Sequence, residues 1–371
     1  MSDKKQRDGE IQRPACPKAA AKNAPCAKSN SPTNGGEAEG KFNRRALLVG
    51  GATLAAAGAI GLPIARRLLA ERSPVFLASN QSYSGNLAST IESGLHETGF
   101  DFNWIRGRKV LLKPNMVEPT RDAPHMTTHP AMVVAAADVF LKHGAEVTVG
   151  EAPGHVRDTE MALAESGIGD ALRSERLKFA DMNYQDVKQT SNRGHHSGLP
   201  HFFFPQAVAE ADLVVSMPKL KTHHWVGMTA AMKNLYGTLP GIKYGWPKNV
   251  LHYNGIPQTV VDINSSCGRT IGIVDGIDCM EGDGPIMGSR KHMGLVAIGT
   301  SLPALDATLA RVIGLDPTKI NYLQFASEKL GPIEDWQIDQ RGERWQAVAS
   351  PFEILDLDFL QYLRADGVLV T

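Results

Sequence analysis

Charge of one sign is what this 371-residue chain lacks most: 39 Lys and Arg stand against 39 Asp and Glu, a formal net charge of zero. With no global field, no nucleic-acid partner is expected, and any charged ligand has to be recognised locally. Cysteine is nearly as scarce. The four present, Cys16, Cys26, Cys267 and Cys279, include no two that stand two or three apart. Zinc-ribbon and cluster spacings are therefore absent, and no iron–sulfur cluster is expected. Cys267 and Cys279 read either as one disulfide of an exported protein or as two small buried hydrophobes. There is also no GxGxxG after a strand, no GxxxxGK[ST] and no GxSxG. Dinucleotide, P-loop and hydrolase-elbow readings lose their main support. No internal repeat is visible.

What is present suits an α/β fold. Hydrophobic residues make up 42% of the chain, enough for a sizeable core, and Gly 36 with Pro 22 fits many tight strand-to-helix turns. Residues 1–41 carry eight Lys/Arg against five Asp/Glu and almost no large apolar side chain, so a disordered basic tail is expected. Arg44 and Arg45 then precede Ala46–Ala65, twenty residues without a charge. The run Phe42-Asn43-Arg44-Arg45-Ala46-Leu47-Leu48 resembles a twin-arginine export signal, which implies the export machinery as a partner. With Arg66-Arg67 following and no clean cleavage site, residues 42–70 read as that signal or as a retained membrane anchor, placing the domain in the periplasm or outside the cytoplasm. A core helix of a cytosolic enzyme is the alternative.

From Ser73 onward short β-branched runs alternate with helical stretches, so a Rossmann-like, mainly parallel sheet with helices on both faces is expected over 73–325. The expected strands are Lys109–Leu112, Glu146–Gly150, Leu177–Ala180, Asp212–Ser216, Thr270–Val274 and Gly294–Ile298. Thr128-His129-Pro130 looks like the start of a helix that stops at Gly144. Residues 326–371 read as a looser C-terminal extension.

Ligands of open parallel sheets bind beyond the carboxyl ends of the strands. Those ends carry Lys113-Pro114-Asn115, then Glu151-Ala152-Pro153-Gly154-His155. The fourth leads to Pro218-Lys219-Leu220-Lys221-Thr222-His223-His224, and the fifth to Asp275-Gly276 through Glu281-Gly282-Asp283-Gly284. Lys113, Asn115, His129, Lys219 and Lys221 are the candidates for holding a small anionic molecule. His223 and His224 are candidate general bases, with Lys233 as a third catalytic candidate. Glu151, Asp275, Glu281 and Asp283 are the residue types that hold a divalent metal or act as acid and base. The competing reading for each is a solvated loop end, and His195, His196 and His201 read as packing. A non-catalytic accessory protein that delivers a ligand to a redox partner is the other function class in view.

Lys113-Pro114-Asn115, Thr128-His129-Pro130, Gly150-Glu151-Ala152-Pro153-Gly154 and above all ADLVVSMPKLKTHHWVGMTAAMKNLYGTLPG resemble the domain-of-unknown-function 362 family over roughly residues 107–325. That resemblance implies no reaction. Some members carry a ferredoxin-like cysteine domain, and this chain lacks those cysteines. The layout from His223 to Lys233, followed by Leu239-Pro240-Gly241, is also similar to a segment of the nickel-pincer lactate racemase family. There the histidine shuttles a proton and the lysine holds the pincer cofactor covalently. Ala230-Ala231 stands where that family has Gly-Gly.

Overall fold

Consecutive residues of a strand face opposite sides of its sheet, and here both sides are apolar. Val110 and Leu112 pack in one hydrophobic cluster and Leu111 in another. Leu213 and Val215 divide from Val214 in the same way, as do Ile271 and Ile273 from Val274. Strands buried on both faces need cover on both, and the chain supplies helices to each. The computed structural model describes residues 72–155 and 158–367. The expected tail at 1–41, the twin-arginine-like run and the apolar segment Ala46–Ala65 lie outside the described residues, with Cys16 and Cys26.

The strands are β1 (Ser73–Ala78), β2 (Lys109–Lys113), β3 (Glu146–Glu151), β4 (Lys178–Asp181), β5 (Val187–Ser191), β6 (His201–Pro205), β7 (Leu213–Ser216), β8 (Lys219–His223), β9 (Gly227–Thr229), β10 (Thr270–Glu281), β11 (Ser289–Gly299) and β12 (Ile338–Gly342). The main sheet runs β12-β1-β11-β10-β7-β2-β3-β4. The run from β10 to β4 is parallel throughout, whereas β11 is antiparallel to both β10 and β1. This is the mainly parallel α/β architecture the pattern predicts. Helices Leu87–Glu97 and Pro130–Lys142 bury Leu87, Ile91, Leu95, Met132 and Phe140 against one face. Helices Ile256–Ser266 and Leu302–Val312 bury Val260, Ile263, Leu305 and Leu309 against the other.

Three differences from the sequence expectations matter for the site. Lys219–His223, expected as a loop, is strand β8, paired parallel to β10 and antiparallel to β9. β10 does not end at Val274 but runs to Glu281, because Asp275 to Glu281 keep pairing with β11 past a bulge between Gly276 and Asp278. Bulges bend a strand and re-aim its side chains, here where the chemistry-bearing residues begin. Finally, residues after 328 contribute β12, which pairs parallel to β1, and Phe352, which is fully buried. That segment completes one edge of the sheet. Cys267 and Cys279 are buried and free, 12 residues apart in sequence; burial pushes the Cys267 thiol up to about 12.

Candidate functional site

Strand β8 places Lys219, Lys221 and His223 on one face at alternate positions, with Leu220 turned into the core on the other. Burying three basic groups in a row is costly, and the surroundings decide how each is compensated.

Lys219 is fully matched. Its ammonium reaches Asp275 Oδ2 at 2.6 Å and Tyr83 Oη at 2.8 Å, both lysine and aspartate being wholly buried. Tyr83 donates to Asp275 Oδ1 at 2.9 Å, and the His129 and Ile277 N–H groups donate to the same carboxylate. The His129 ring stacks on Tyr83 at 3.7 Å, and its Nδ1 accepts the Ala131 N–H at the start of the helix. Burial lowers the His129 pKa and raises that of Tyr83. Each polar group in this cluster has a partner, and it reads as a brace between β8, β10 and the Tyr83 loop.

At the other end of β8 the compensation stops. A cavity of about 230 Å³, room for several waters, is lined by Lys113, Lys233, Lys248, Asn115, Glu151 and Asn234 together with His155, His223, His224 and His252. Met116, Val117, Trp225 and Ile286 supply apolar wall. Lys113 Nζ meets Glu151 Oε2 at 2.5 Å, Pro114 O at 2.6 Å and Asn234 Oδ1 at 2.9 Å. Burial pushes both members toward their neutral forms, and their mutual contact opposes this, so they titrate as a unit. Gly237 closes on this pair so tightly that a Cβ there would collide with Glu151 Oε1 and Lys113 Nζ.

Glu151 is the only carboxylate among the described residues that line the cavity. Lys248 instead donates to the carbonyls of Ala152, at 3.0 Å, and Leu239. Its backbone is left-handed at φ = 67°, a conformation that costs a non-glycine residue energy and brings this ammonium inward. Among the described residues Lys233 donates to no acceptor, and it stands 4.0 Å above the Tyr236 ring. Lys221, between the two ends of β8, donates to Met126 O at 2.7 Å and Pro285 O at 3.1 Å. Burial, aided by neighbouring lysine charges, lowers Lys221, Lys233 and Lys248 each to about 7.

The two adjacent histidines are fixed in opposite senses. His223 Nδ1 accepts the Trp225 N–H at 3.1 Å, and burial holds the ring well below its usual pKa, so the neutral ring carries its proton on Nε2. His223 is therefore an N–H donor. Of the two candidate general bases, His223 thus has its Nδ1 lone pair engaged by the backbone. His224 Nδ1 lies 3.1 Å from Asp283 Oδ1, an arrangement in which a neutral ring donates its Nδ1–H to the carboxylate and keeps Nε2 as the acceptor. His252 is pushed down to about 4, mainly by burial and then by Lys233, and burial lowers His155 too.

Of the residues singled out from sequence, the cavity brings together Lys113, Asn115, Glu151, His223, His224 and Lys233. Lys219, His129 and Asp275 form the brace, and Glu281 pairs with Lys291 at 2.9 Å. The four carboxylates proposed for a metal thus face four different bases, Lys113, Lys219, Lys291 and His224. Among the described residues no three His, Cys, Asp or Glu side chains converge as a metal set. Lys248 and His252 carried no sequence signal; the positive φ and the return of the chain after Trp246-Pro247 bring them in, while Asn234, inside the block that carries the family resemblance, had no role assigned. Asp306 was also missed as a support. Wholly buried, it accepts the Ala231 and Met232 N–H groups at 2.7 and 3.0 Å and so fixes the turn that presents Lys233 and Asn234.

An α/β protein with a buried, lysine-rich cavity at the carboxyl side of its parallel strands is the class these features define. The chain belongs to the family described as domain of unknown function (DUF362), whose model matches residues 110–311. It is 29% identical over 263 residues to a thylakoid-associated protein of Synechocystis sp., covering 69% of this chain and 79% of that relative. Among solved structures it is similar to the lactate racemase apoprotein from Thermoanaerobacterium thermosaccharolyticum, with 12% identity and a TM-score of 0.41. That match covers 66% of this chain and 57% of the racemase.

Proposed function

We propose that the cavity binds a small organic anion and exchanges protons with it. One observation carries this reading: three buried lysines, Lys113, Lys233 and Lys248, line a cavity whose described walls hold a single carboxylate. An anion there would favour the ammonium forms of amines that burial pushes toward neutrality, so ligand and site would stabilise each other. His223 would donate its Nε2 proton in a hydrogen bond to the anion or to a carbonyl beside it. His224, oriented by Asp283, would take and return a proton at Nε2. Lys219 and Lys221 serve the frame in this account, the first through Asp275 and the second through two backbone carbonyls.

The setting proposed for this chemistry is at a membrane or beyond it. It is supported by the twin-arginine-like run before Ala46–Ala65 and by the relative's description as thylakoid-associated. No helix among the described residues is long and apolar enough to cross a membrane, and the anchor proposed is the segment 42–70.

The test is calorimetric titration of the full-length protein with oxalate and with inorganic phosphate. Saturable binding that weakens in Lys233→Met and Lys248→Met supports the anion site. Absence of binding by both ions contradicts it. Binding with no turnover across a panel of small carboxylates would instead favour the accessory, ligand-delivering role.

A further inference from the structure

The lysines around the cavity are not equivalent. Lys113 spends its hydrogen bonds on Pro114 O, Glu151 and Asn234, and Lys248 spends its own on two carbonyls. Both are held as struts. Lys233 donates to no acceptor among the described residues, is 9% exposed, and lies against the face of Tyr236 within the same cavity. An ammonium built only to hold an anion is served by fixed acceptors that orient it; an amine left without them keeps its nitrogen available.

A second observation, independent of the lysines, is an unmet acceptor. Asn234 Oδ1 receives Lys113, and its Nδ2 donates to Lys113 O and Ser216 Oγ, which fixes the orientation of that amide. Asn115 Nδ2 donates to Asn234 Oδ1 at 3.1 Å, which in turn fixes Asn115. Asn115 Oδ1 is left buried without a donor, on a residue that lines the cavity and is 4% exposed. A buried acceptor of this kind is costly unless something supplies a donor. A bare carboxylate has none to offer.

Free amine and unmet acceptor are answered together by carbonyl addition, whose product bears a new hydroxyl. We infer that Lys233 is a nucleophile toward a small carboxylate that carries a ketone or aldehyde, of the 2-oxo acid class. The inference rests on the anion-site reading above. The Lys233 Nζ lone pair attacks the carbonyl carbon, forming a C–N bond as the carbonyl π pair moves to oxygen. The proton released by nitrogen passes, through His224 Nε2 or water, to that oxygen. The resulting carbinolamine O–H is the donor that Asn115 Oδ1 lacks. Loss of that hydroxyl with a second proton, as water, leaves an imine on Nζ, and no oxidant or reductant is consumed. A lowered amine pKa, caused by burial and Lys113, keeps a large neutral fraction available near pH 7.

The experiment incubates the full-length protein with pyruvate and sodium cyanoborohydride, then maps modified lysines by mass spectrometry. Oxalate binding is measured in parallel on the same preparation. Labelling at Lys233 at least about tenfold above the exposed Lys329, and lost in Lys233→Met, is the expected result. Labelling at Lys233 no greater than at Lys329 overturns the nucleophile. If oxalate still binds in that case, the anion site stands without it; if oxalate fails to bind as well, both readings fall. The wild-type map alone decides the matter should the variant fold poorly.

Discussion

Strand β8 carries lysine and histidine into two buried environments that solve the same problem differently. At Lys219 the buried charge is answered: Asp275, Tyr83 and the His129 backbone close a network around it. Around Lys233, Lys113 takes Glu151, the single carboxylate of the described walls, while among the described residues the Lys233 amine has no acceptor and the Asn115 amide oxygen no donor. The first arrangement is what stability asks of buried charge, and the second is what binding asks, because the missing partner is left for the ligand. Satisfied and unsatisfied burial thus separate the frame from the site within about one strand's length.

The contrast breaks most visibly at Asp275. Asp275→Ala strands the Lys219 ammonium in the core and is expected to lower stability by about 3–5 kcal/mol, measured by urea unfolding. Gly237→Ala attacks the join between frame and site. Its methyl group displaces Glu151 or Lys113, with an expected loss of about 1–3 kcal/mol in the same assay and of oxalate binding by calorimetry. Lys233→Met should do the opposite of Asp275→Ala. It leaves stability unchanged or raises it, because the site keeps no partner for that charge, while oxalate affinity falls about tenfold or more. The smallest effect belongs to Asp283→Ala. The His224–Asp283 pair is part-exposed, so stability should move by no more than about 0.5 kcal/mol. The imidazole should nonetheless lose its fixed tautomer, visible in the nitrogen shifts of His224 by NMR.

Much of the frame was legible before any geometry. Runs such as KVLLK and LVVS are apolar on both faces, and their spacing with intervening helices marks parallel strands. The helix Pro130–Lys142 announced itself by His129-Pro130 and by Gly144. β8 was hidden because Lys219, Lys221 and His223 reverse the polarity expected of a buried strand, and so it read as a loop. Asp275 and Glu281 read as loop residues for the same reason. The site was legible only as a set of residue types at strand ends. Which lysine meets which carboxylate depends on the β8–β10 register, and the roles of His223 and His224 depend on partners two and fifty-nine residues away. Lys248 and His252 come from a stretch with no periodic signal at all.

The lysines that pair with no carboxylate among the described residues also make a prediction about protons. Lys221, Lys233 and Lys248 stand at about 7 when folded against 10.5 for an ordinary lysine. The unfolded chain therefore holds more protons between those values, so the ligand-free protein gains stability as pH rises across that window. An anion in the cavity favours the ammonium forms and raises their pKa, so binding takes up protons near pH 7 and weakens as pH rises above it. Oxalate calorimetry at pH 7 in two buffers of different ionisation enthalpy measures that uptake directly. The account predicts net uptake, reduced in both Lys233→Met and Lys248→Met. Binding with no proton uptake would contradict the claim that the cavity lysines Lys233 and Lys248 await an anion.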